Sequence, residues 1–206
     1  LLLEFKHTKA FSLPGGFVFK EESTDEAATR ILWERTGVKD IYLEQFHTFG
    51  EQNRGNWDVH KTTMSTHGFE LQADHWLLQR FISIGYYALV DFSKVQPTPD
   101  IFSDLGNWHD IHQIPALILD HNLIIDKALE TLRLMLDHKL VGFNLLSETF
   151  TMNELQSLYE TILDKKLLRA NFQRKMLSLG ILERVEKKFS GKAHKPPYVY
   201  RINQNQ

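Results

Sequence analysis

Two short motifs mark where helices begin in this chain. Ser23 is followed three residues later by Glu26, and Thr151 is followed three residues later by Glu154. In such a capping box the hydroxyl accepts a hydrogen bond from the later backbone N–H, and the carboxylate accepts one from the earlier backbone N–H. Two helix donors that would otherwise lack a partner are thereby satisfied. The sequence therefore predicts one capped helix in each half of the chain.

Around the first capping box the pattern combines one helix with short strands. The helix is predicted over Thr24–Thr36, because Gly37 follows where a helix ends in the left-handed conformation. Since Leu1 already lies in a strand-like run, we expect the natural chain to continue before it. Runs rich in branched and aromatic residues predict strands over Leu1–Phe5, Phe17–Phe19, Ile41–Phe49 and Phe81–Phe92.

Around the second capping box the order of elements is different. A helix with spaced leucines is predicted before it, over Asn122–His138. The helix that follows Thr151 is succeeded by a short turn and by further elements. These are a helix over Leu168–Leu179 and two strands, Leu182–Phe189 and Tyr198–Ile202, around a loop that contains Gly and Pro. Helix, turn, helix and hairpin is the order of a winged helix-turn-helix domain.

Charge also differs between the two parts of the chain. The boundary predicted from the pattern separates a domain of residues 1–140 from a domain of residues 141–206. The whole chain has 24 Lys and Arg against 26 Asp and Glu. Residues 139–206 hold 12 of the Lys and Arg residues and 6 of the Asp and Glu residues, a net charge of +6. Residues 1–138 therefore carry a net charge of −8. The basic part is a candidate for binding a polyanion, although a solvated basic surface is the alternative.

The composition excludes several kinds of site. The chain has no cysteine, so disulfides, thiolate metal ligands and cysteine nucleophiles are excluded. Its longest apolar run, near Ile84–Val90, is far shorter than the ~18 residues that a membrane span needs. The histidines show no recognised ligand spacing, so neither a metal nor another cofactor is predicted. We expect a cytoplasmic protein.

The predicted helix Leu168–Leu179 carries residue types that read DNA. If Phe172 faces the core, the polar residues project outward or lie on the flanks. Arginine pairs with guanine, asparagine and glutamine pair with adenine, and lysine contacts phosphate. The predicted DNA contacts are Arg169, Asn171, Gln173, Arg174 and Lys175 on this helix, and Lys192 and Lys195 on the loop that would form the wing. The alternative is a winged helix that binds another protein, with little dependence of affinity on salt.

A spaced set of residues in the first half resembles the Nudix box. The family pattern is Gly, five residues, Glu, seven residues, Arg-Glu, an apolar residue, any residue, Glu-Glu, any residue, Gly and an apolar residue. The positions that match are Gly16, Glu22, Arg30, Leu32, Glu34, Gly37 and Val38. The resemblance implies an α+β fold, the α/β/α Nudix-like sandwich, with Glu22 and Arg30 bracing the loop against the helix.

The departures from that pattern bear on activity. Nudix hydrolases hold divalent metals with three further glutamates, and this chain has Ile31, Glu34 and Arg35 at those positions. An apolar group and a cation remove oxygen ligands and add a like charge. We therefore predict no hydrolase activity and no catalytic residues. The rival hypothesis is a working ADP-ribose or nucleotide-sugar pyrophosphatase in which Glu44 and Glu51 replace the lost ligands.

Four further segments are similar to the NrtR-type regulators, which join a Nudix-like sensor to a winged helix-turn-helix. They are His47–Gly50 with Arg54, Ile82–Val90, Pro115–His121 and Gly142–Leu146. Within that family the sequence looks closest to sugar-responsive members such as the arabinose regulator AraR. The stretch Asn56–Gln79 is longer than that family leads us to expect. The resemblance implies a homodimeric bacterial transcription regulator that binds double-stranded operator DNA and a pentose or ADP-ribose-like effector. We expect a repressor, and an activator is the alternative.

The effector-binding residues predicted on the same basis are Arg30, Glu34, Arg54 and Trp57, although an aromatic residue such as Trp57 more often packs its own loop down. An effector changes DNA affinity only if it binds the DNA-competent and DNA-incompetent arrangements with different affinity. The helix before the domain boundary joins both domains, and it is therefore the predicted moving part.

Overall fold

The computed structural model describes residues 1–5, 8–54, 65, 75, 79–99, 103–139, 142–187 and 197–203. The chain divides into two units, Leu1–Thr131 and Leu132–Gln206. Each has its own sheets and its own buried side chains. No helix within the described residues is both long and apolar enough to cross a membrane.

The described part of the first unit contains two antiparallel sheets. In chain order its strands are β1 (Leu2–Phe5), β2 (Phe11–Ser12), β3 (Glu44–Phe49), β4 (Ser83–Tyr87) and β5 (Ser103–Asn107). Strand β1 lies between β2 and β5, and β3 pairs with β4. The predictions of strands near the chain start, before Gly50 and after Arg80 are confirmed, and the last two strands are shorter than predicted.

The first capping box forms as the sequence predicts. Helix α1 spans Thr24–Thr36, and the Ser23 hydroxyl and the Glu26 carboxylate each accept a hydrogen bond from the other residue's backbone N–H. Gly37 ends the helix with φ 69°, a left-handed conformation that glycine adopts without steric cost. Both predicted ends of this helix are therefore confirmed.

The predicted strand over Phe17–Phe19 is wrong. These residues have no regular structure, and their side chains are about half exposed. The Phe17 carbonyl accepts a hydrogen bond from Arg30 Nη2 at 2.8 Å, and the Phe19 N–H donates to Glu22 Oε1 at 2.8 Å. Because side chains satisfy these backbone groups, the segment needs no strand partner. The aromatic run therefore belongs to a braced loop.

Two strands of the first unit were not predicted from the sequence. Strand β2 has only two residues, and β5 reads Ser-Asp-Leu-Gly-Asn, a composition typical of turns. Gly106 in β5 is required by a close approach, since a Cβ there would lie 2.9 Å from the Pro97 Cβ and 3.3 Å from Leu3 Cδ2. Tertiary packing thus selects this strand against its local preference.

Helix α2 spans His121–Met135 and passes from the first unit into the second. The helix predicted over Asn122–His138 is present, but it ends at Met135, three residues before the predicted end. The N–H groups of His138 and Lys139 both donate to the Met135 carbonyl in the turn that follows the helix. The domain limits at residues 140 and 141 stay predictions.

The second unit contains the predicted succession of helices and hairpin. Its elements are β6 (Phe150–Thr151), α3 (Met152–Leu163), α4 (Arg169–Ser178), β7 (Leu182–Lys187) and β8 (Tyr198–Ile202). Strand β8 lies between β6 and β7, and both pairings are antiparallel. The second capping box forms completely at Thr151 and Glu154. Strand β6 was missed because two residues carry no alternating pattern.

The core of the second unit joins both of its helices to its sheet. Leu155, Tyr159, Phe172 and Met176 are at most 4% exposed. The rings of Tyr159 and Phe172 meet edge to face with centroids 5.1 Å apart, a favoured aromatic geometry. Phe150, which directly precedes the second capping box, belongs to the same core. This packing fixes which side of α4 is left exposed.

Glu160 organises the turn between α3 and α4. Its carboxylate accepts hydrogen bonds from the Leu167 N–H at 3.0 Å, from Lys166 Nζ at 2.9 Å and from Gln156 Nε2 at 2.9 Å. These bonds, led by the one from Lys166, lower the pKa of Glu160 to about 2. Asp164 ends α3 with φ 53°. One carboxylate therefore holds the turn that sets the second helix against the first.

Candidate functional site

Helix α4 presents a polar face to solvent. Phe172 and Met176 are buried, whereas Arg169, Arg174 and Lys175 are exposed. Asn171 is exposed as well, and Gln173 is partly covered. The structure thus places the five residues that the sequence predicted as DNA contacts away from the core. The wing residues Lys192 and Lys195 lie outside the described residues.

Arg169 and Gln173 border a groove of about 250 Å³. Its opposite walls are the first turn of α3 and strand β8, and the residues there include Thr151, Asn153, Tyr198 and Tyr200. The capping box satisfies the N–H groups of Thr151 and Glu154, so the N–H groups that the start of α3 can offer a ligand are those of Met152 and Asn153, at the end of the helix dipole with partial positive charge. Together with a guanidinium, an amide and a tyrosine edge, these groups suit an anionic, hydrogen-bonding ligand such as a nucleic-acid backbone.

The remaining polar residues of α4 already have partners in the second unit. Arg174 Nη2 donates to Asn171 Oδ1 at 3.3 Å. Lys175 Nζ donates to Asp137 Oδ2 at 2.5 Å, so this lysine is bound to the turn that follows α2. The face of α4 is therefore divided: Arg169 and Gln173 border the groove, and Lys175 lies in an ion pair on another flank.

The hairpin adds basic side chains that the sequence did not single out. The Arg184 guanidinium stacks over the Tyr198 ring with its carbon 4.2 Å from the ring centroid. Arg201 donates to Glu183 across the same pair of strands at 2.9 Å, and this bond raises the pKa of Arg201. Only pairing of the strands brings these residues together, since 14 positions separate Arg184 from Tyr198.

The Nudix-like segment is held together by Arg30. Its Nε and Nη2 donate to the Glu22 carboxylate at 3.0 and 2.6 Å, and its Nη1 donates to Glu34 at 3.2 Å. The Arg30 guanidinium carbon also lies over the Phe19 ring, 4.1 Å from the ring centroid. Hydrogen bonds from Arg30 and from the Phe19 N–H hold the pKa of Glu22 below its usual value. The brace implied by the resemblance is present.

The residues at the metal positions of the Nudix pattern make other contacts in the structure. The Ile31 side chain fills the space above Gly16, where an added Cβ would lie 2.8 Å from Ile31 Cδ1. Both carboxylate oxygens of Glu34 accept from Arg30. Mg²⁺ prefers several oxygen ligands, and an apolar side chain with one cation-bound carboxylate does not supply them. Among the described residues, no three His, Asp or Glu side chains gather in a manner suited to a metal.

Glu44 and Glu51, the candidate replacement ligands, lie apart from any such cluster in the described chain. Glu44 accepts a hydrogen bond from the Tyr42 hydroxyl, and Glu51 is exposed beyond the end of β3. The described residues therefore offer no geometric support for a rescued metal site.

Arg54 lies in a network that the sequence did not predict. Its side chain is only 3% exposed. Nε and Nη2 form a forked pair with the Asp120 carboxylate, both at 2.8 Å, and Nη1 donates to the Phe81 carbonyl and to Ser83 Oγ. No local signal links positions 54 and 120, because they are 66 residues apart. Trp57, the neighbouring predicted effector contact, lies outside the described residues.

Comparisons with known proteins identify the family. Residues 1–132 match the NUDIX domain family, and residues 142–202 match the NrtR DNA-binding winged helix domain. The chain belongs to the Nudix domain family, and its Nudix domain is followed by a winged helix domain.

Particular relatives resemble the chain over most of its length. The ADPR responsive transcriptional repressor NtrR of Acinetobacter baylyi is 29% identical over 93% of this chain and 69% of its own length. The crystal structure of Shewanella oneidensis NrtR is 26% identical, covers 98% of this chain and 85% of the other, and superposes with a TM-score of 0.68. A MutT/nudix family protein from Enterococcus faecalis is 19% identical, covers 98% and 78%, and reaches a TM-score of 0.65. That last likeness shows the fold.

These relatives test the two family resemblances that the sequence suggested, one to NrtR-type regulators and one to arabinose regulators. Similarity to NrtR-type proteins is confirmed by the winged helix match and by the Shewanella oneidensis structure. The closer kinship with arabinose regulators finds no support in these relatives, since the Acinetobacter baylyi protein is described as ADPR responsive.

Proposed function

We propose that this chain is a DNA-binding transcriptional repressor whose operator affinity is changed by an ADP-ribose-like ligand of its Nudix domain. The observation that carries the proposal is the exposed polar face of α4 beside the groove lined by Arg169 and Gln173. The fold supports it, because the second helix of a helix-turn-helix enters the major groove of DNA. The excess of basic residues in this part of the chain favours a polyanion as partner.

The relatives support ADP-ribose as the class of effector. The Acinetobacter baylyi protein, similar over nearly the whole of this chain, is described as responsive to ADPR. Glu34 is the most exposed of the predicted effector contacts that the structure describes, with its side chain 36% exposed against 23% for Arg30 and 3% for Arg54. A pentose is the alternative effector, and it forms a second arm of the ligand experiment.

We propose that the Nudix domain binds its ligand without hydrolysing it. The support is the packing of Ile31 against Gly16 and the bonding of Glu34 to Arg30, both at positions where hydrolases hold metal. Incubation of the full chain with ADP-ribose and Mg²⁺ or Mn²⁺ should leave the nucleotide intact by chromatography. Turnover that is lost in Glu34→Gln would instead establish a hydrolase.

We propose a homodimer that acts in a bacterial cytoplasm. Helix-turn-helix regulators commonly bind two half-sites about one turn of DNA apart, so that the two-fold symmetry of the protein matches a palindromic operator. The resemblance to NrtR-type regulators favours the same arrangement. Light scattering of the free protein and of its DNA complex measures the stoichiometry, and one chain per operator would contradict it.

The DNA-binding surface is tested with arginine variants. Fluorescence anisotropy measures the affinity of the full chain for a duplex from the promoter nearest its gene. Arg169→Ala and Arg174→Ala should each weaken binding by ~1–3 kcal/mol if the side chain reads a base. Lys94→Ala is the matched control, because it removes an exposed cation from the first unit. Unchanged affinity in both arginine variants would show that α4 is not the recognition helix.

The effector is tested by repeating the titration with ligand present. ADP-ribose should change the DNA affinity, and arabinose at the same concentration should not. The opposite result would assign the domain to a sugar. If neither compound alters affinity, the proposed regulation is wrong, even when the duplex itself binds.

A further inference from the structure

The start of helix α2 carries an unusual concentration of constraints within the first unit. Leu119 has φ 50°, a left-handed conformation that a leucine rarely adopts. Asp120 follows, and its carboxylate forms the forked pair with the buried Arg54. His121, the first residue of α2, accepts a hydrogen bond at Nδ1 from the Leu13 N–H at 3.0 Å. Of these three successive residues, Leu119 is strained, Asp120 is ion-paired and His121 is hydrogen-bonded.

The Arg54 network connects this helix start to the β3–β4 sheet. Arg54 follows the end of β3, and the same guanidinium binds Phe81 and Ser83 at the start of β4. Burying an ion pair costs solvation, so such a pair contributes more to defined geometry than to stability. The planar fork of arginine fixes the orientation of the carboxylate that it binds. Arg54 therefore links the position of Asp120 to the positions of the end of β3 and the start of β4.

A second set of contacts connects the same helix start to β2 and to the residue that follows it, just before the Nudix-like segment. The Ile118 N–H donates to the Phe11 carbonyl at 2.9 Å, and Leu117 forms a bridge with Phe11. Leu13, whose N–H binds His121, immediately precedes the Pro-Gly-Gly turn that leads into the Nudix-like segment. Residues 117–121 therefore contact the stretch of chain that leads into the Nudix-like segment.

We infer that Arg54 and Asp120 are positioning residues that couple the effector to DNA affinity. This inference rests on the proposed function. Residues 117–121 receive contacts from β2 and Leu13, which lead into the Nudix-like segment, and from Arg54, which also binds the start of the β4 region. Helix α2 leads from them into the DNA-binding unit. A left-handed conformation strains a non-glycine residue, and it persists only when the surrounding contacts enforce it. Loosening the contacts of residues 117–121 releases that strain and changes how α2 begins.

This role differs from that of a ligand contact, which the sequence predicted for Arg54. A ligand contact would lose effector affinity when it is substituted. A positioning residue keeps the affinity for each partner alone and loses the effect of one on the other, since coupling is a separate free energy. The two roles are distinguished by the affinity for ADP-ribose and by the ratio of the DNA affinities measured with and without ADP-ribose.

The experiment uses the full chain with Arg54→Lys and with the double variant Arg54→Met/Asp120→Leu. The first keeps the charge and loses the fork. The second replaces the whole pair by apolar groups, which buried pairs commonly tolerate without loss of stability. Arg80→Lys is the matched control, since Arg80 is exposed and donates to the Gly50 carbonyl. Calorimetry measures ADP-ribose affinity, and anisotropy measures promoter-DNA affinity with and without ADP-ribose.

In the wild type and in Arg80→Lys, ADP-ribose should change DNA affinity by about tenfold, within the usual range of allosteric coupling. In the two pair variants the change should fall to about twofold or less, with each separate affinity within about threefold of wild type. Folded variants that keep the full ADP-ribose effect would overturn the inference. A loss of ADP-ribose affinity of about tenfold or more would also overturn it, and would make Arg54 a ligand contact. If the wild type itself shows no response, the proposed function fails and the inference falls with it.

Discussion

At the scale of single residues, Glu160 shows how one carboxylate can define a turn. It binds Gln156 on its own helix, and Lys166 and Leu167 beyond the turn. Sequence reasoning predicts a short turn here from the polar run Asp164–Lys166, but it does not identify the group that organises it. The reason is geometric, because a side chain one helical turn before the end of α3 reaches forward over six or seven residues.

The lowered pKa of Glu160 predicts a pH dependence of stability. A carboxyl whose pKa is lower in the folded state stabilises the fold fully above its ordinary value of 4.5, and this stabilisation is lost as the pH falls towards about 2. Glu160→Gln should therefore destabilise the second unit at pH 7 and have a much smaller effect near pH 2. Thermal melts of both proteins at several pH values measure this. An equal difference at every pH would contradict the assignment.

Lys175 illustrates a residue whose partner lies far away in sequence. It was predicted as a DNA contact from its place on the helix, and the structure pairs it with Asp137, 38 residues earlier. Asp137→Asn should strengthen DNA binding by about two- to fivefold, because an exposed ion pair is released and one negative charge beside α4 is removed.

The control for that prediction is Asp164→Asn, which removes a charge from the same unit at a left-handed position that asparagine tolerates. Anisotropy with promoter DNA compares the two variants with the wild type. Weaker binding by Asp137→Asn would show that the ion pair holds α4 in its DNA-binding position.

At the scale of helices and strands, caps were more informative than composition. The ends of α1 and the start of α3 follow from capping boxes and a glycine, which are local and have one geometric solution. Strands followed less well. Phe17–Phe19 has strand-like composition yet lies in a loop, whereas β5 has turn-like composition yet pairs with β1. Their state is decided by Arg30 and Glu22 in one case and by Leu3 and Pro97 in the other.

The same limit applies to the candidate sites. The face of α4 follows from helical periodicity, so its residues were predictable. The Arg54–Asp120 pair forms because segments that are distant in sequence come into contact in the fold. A local sequence pattern does not predict which distant segments are in contact. The resemblance to a known family supplied the Glu22–Arg30 brace, which spacing alone does not identify.

The second capping box gives a direct test at this scale. Thr151→Ala removes the hydroxyl that accepts the Glu154 N–H, and it should cost about 1 kcal/mol of stability. Thr161→Ala is the control, since the Thr161 hydroxyl donates back to the Ser157 carbonyl of the same helix and alanine favours a helix. Urea denaturation followed by circular dichroism measures both. Equal stability of the two variants would contradict the role of the cap.

At the scale of the whole molecule, the two units can be observed separately. All 4 tryptophans precede residue 132, so tryptophan fluorescence reports on the first unit. ADP-ribose at about a hundred times its Kd should stabilise that unit by about 2.7 kcal/mol if it binds only the folded state. A fluorescence melt measures the shift, with arabinose as the comparison. No shift with ADP-ribose would contradict its binding to the Nudix domain.

DNA binding through α4 is tested most directly by the salt dependence of promoter-duplex affinity, measured by anisotropy for the wild type, Arg169→Ala and Arg174→Ala. Phosphate contacts release counterions, so affinity should fall by about 10³-fold or more between roughly 50 and 200 mM salt if about six phosphates are neutralised. Each arginine variant that has lost a phosphate contact should reduce the slope of log K against log salt by about one. A wild-type affinity that is independent of salt, or an affinity and a slope that both stay unchanged in both variants, would show that this face of α4 does not lie on DNA.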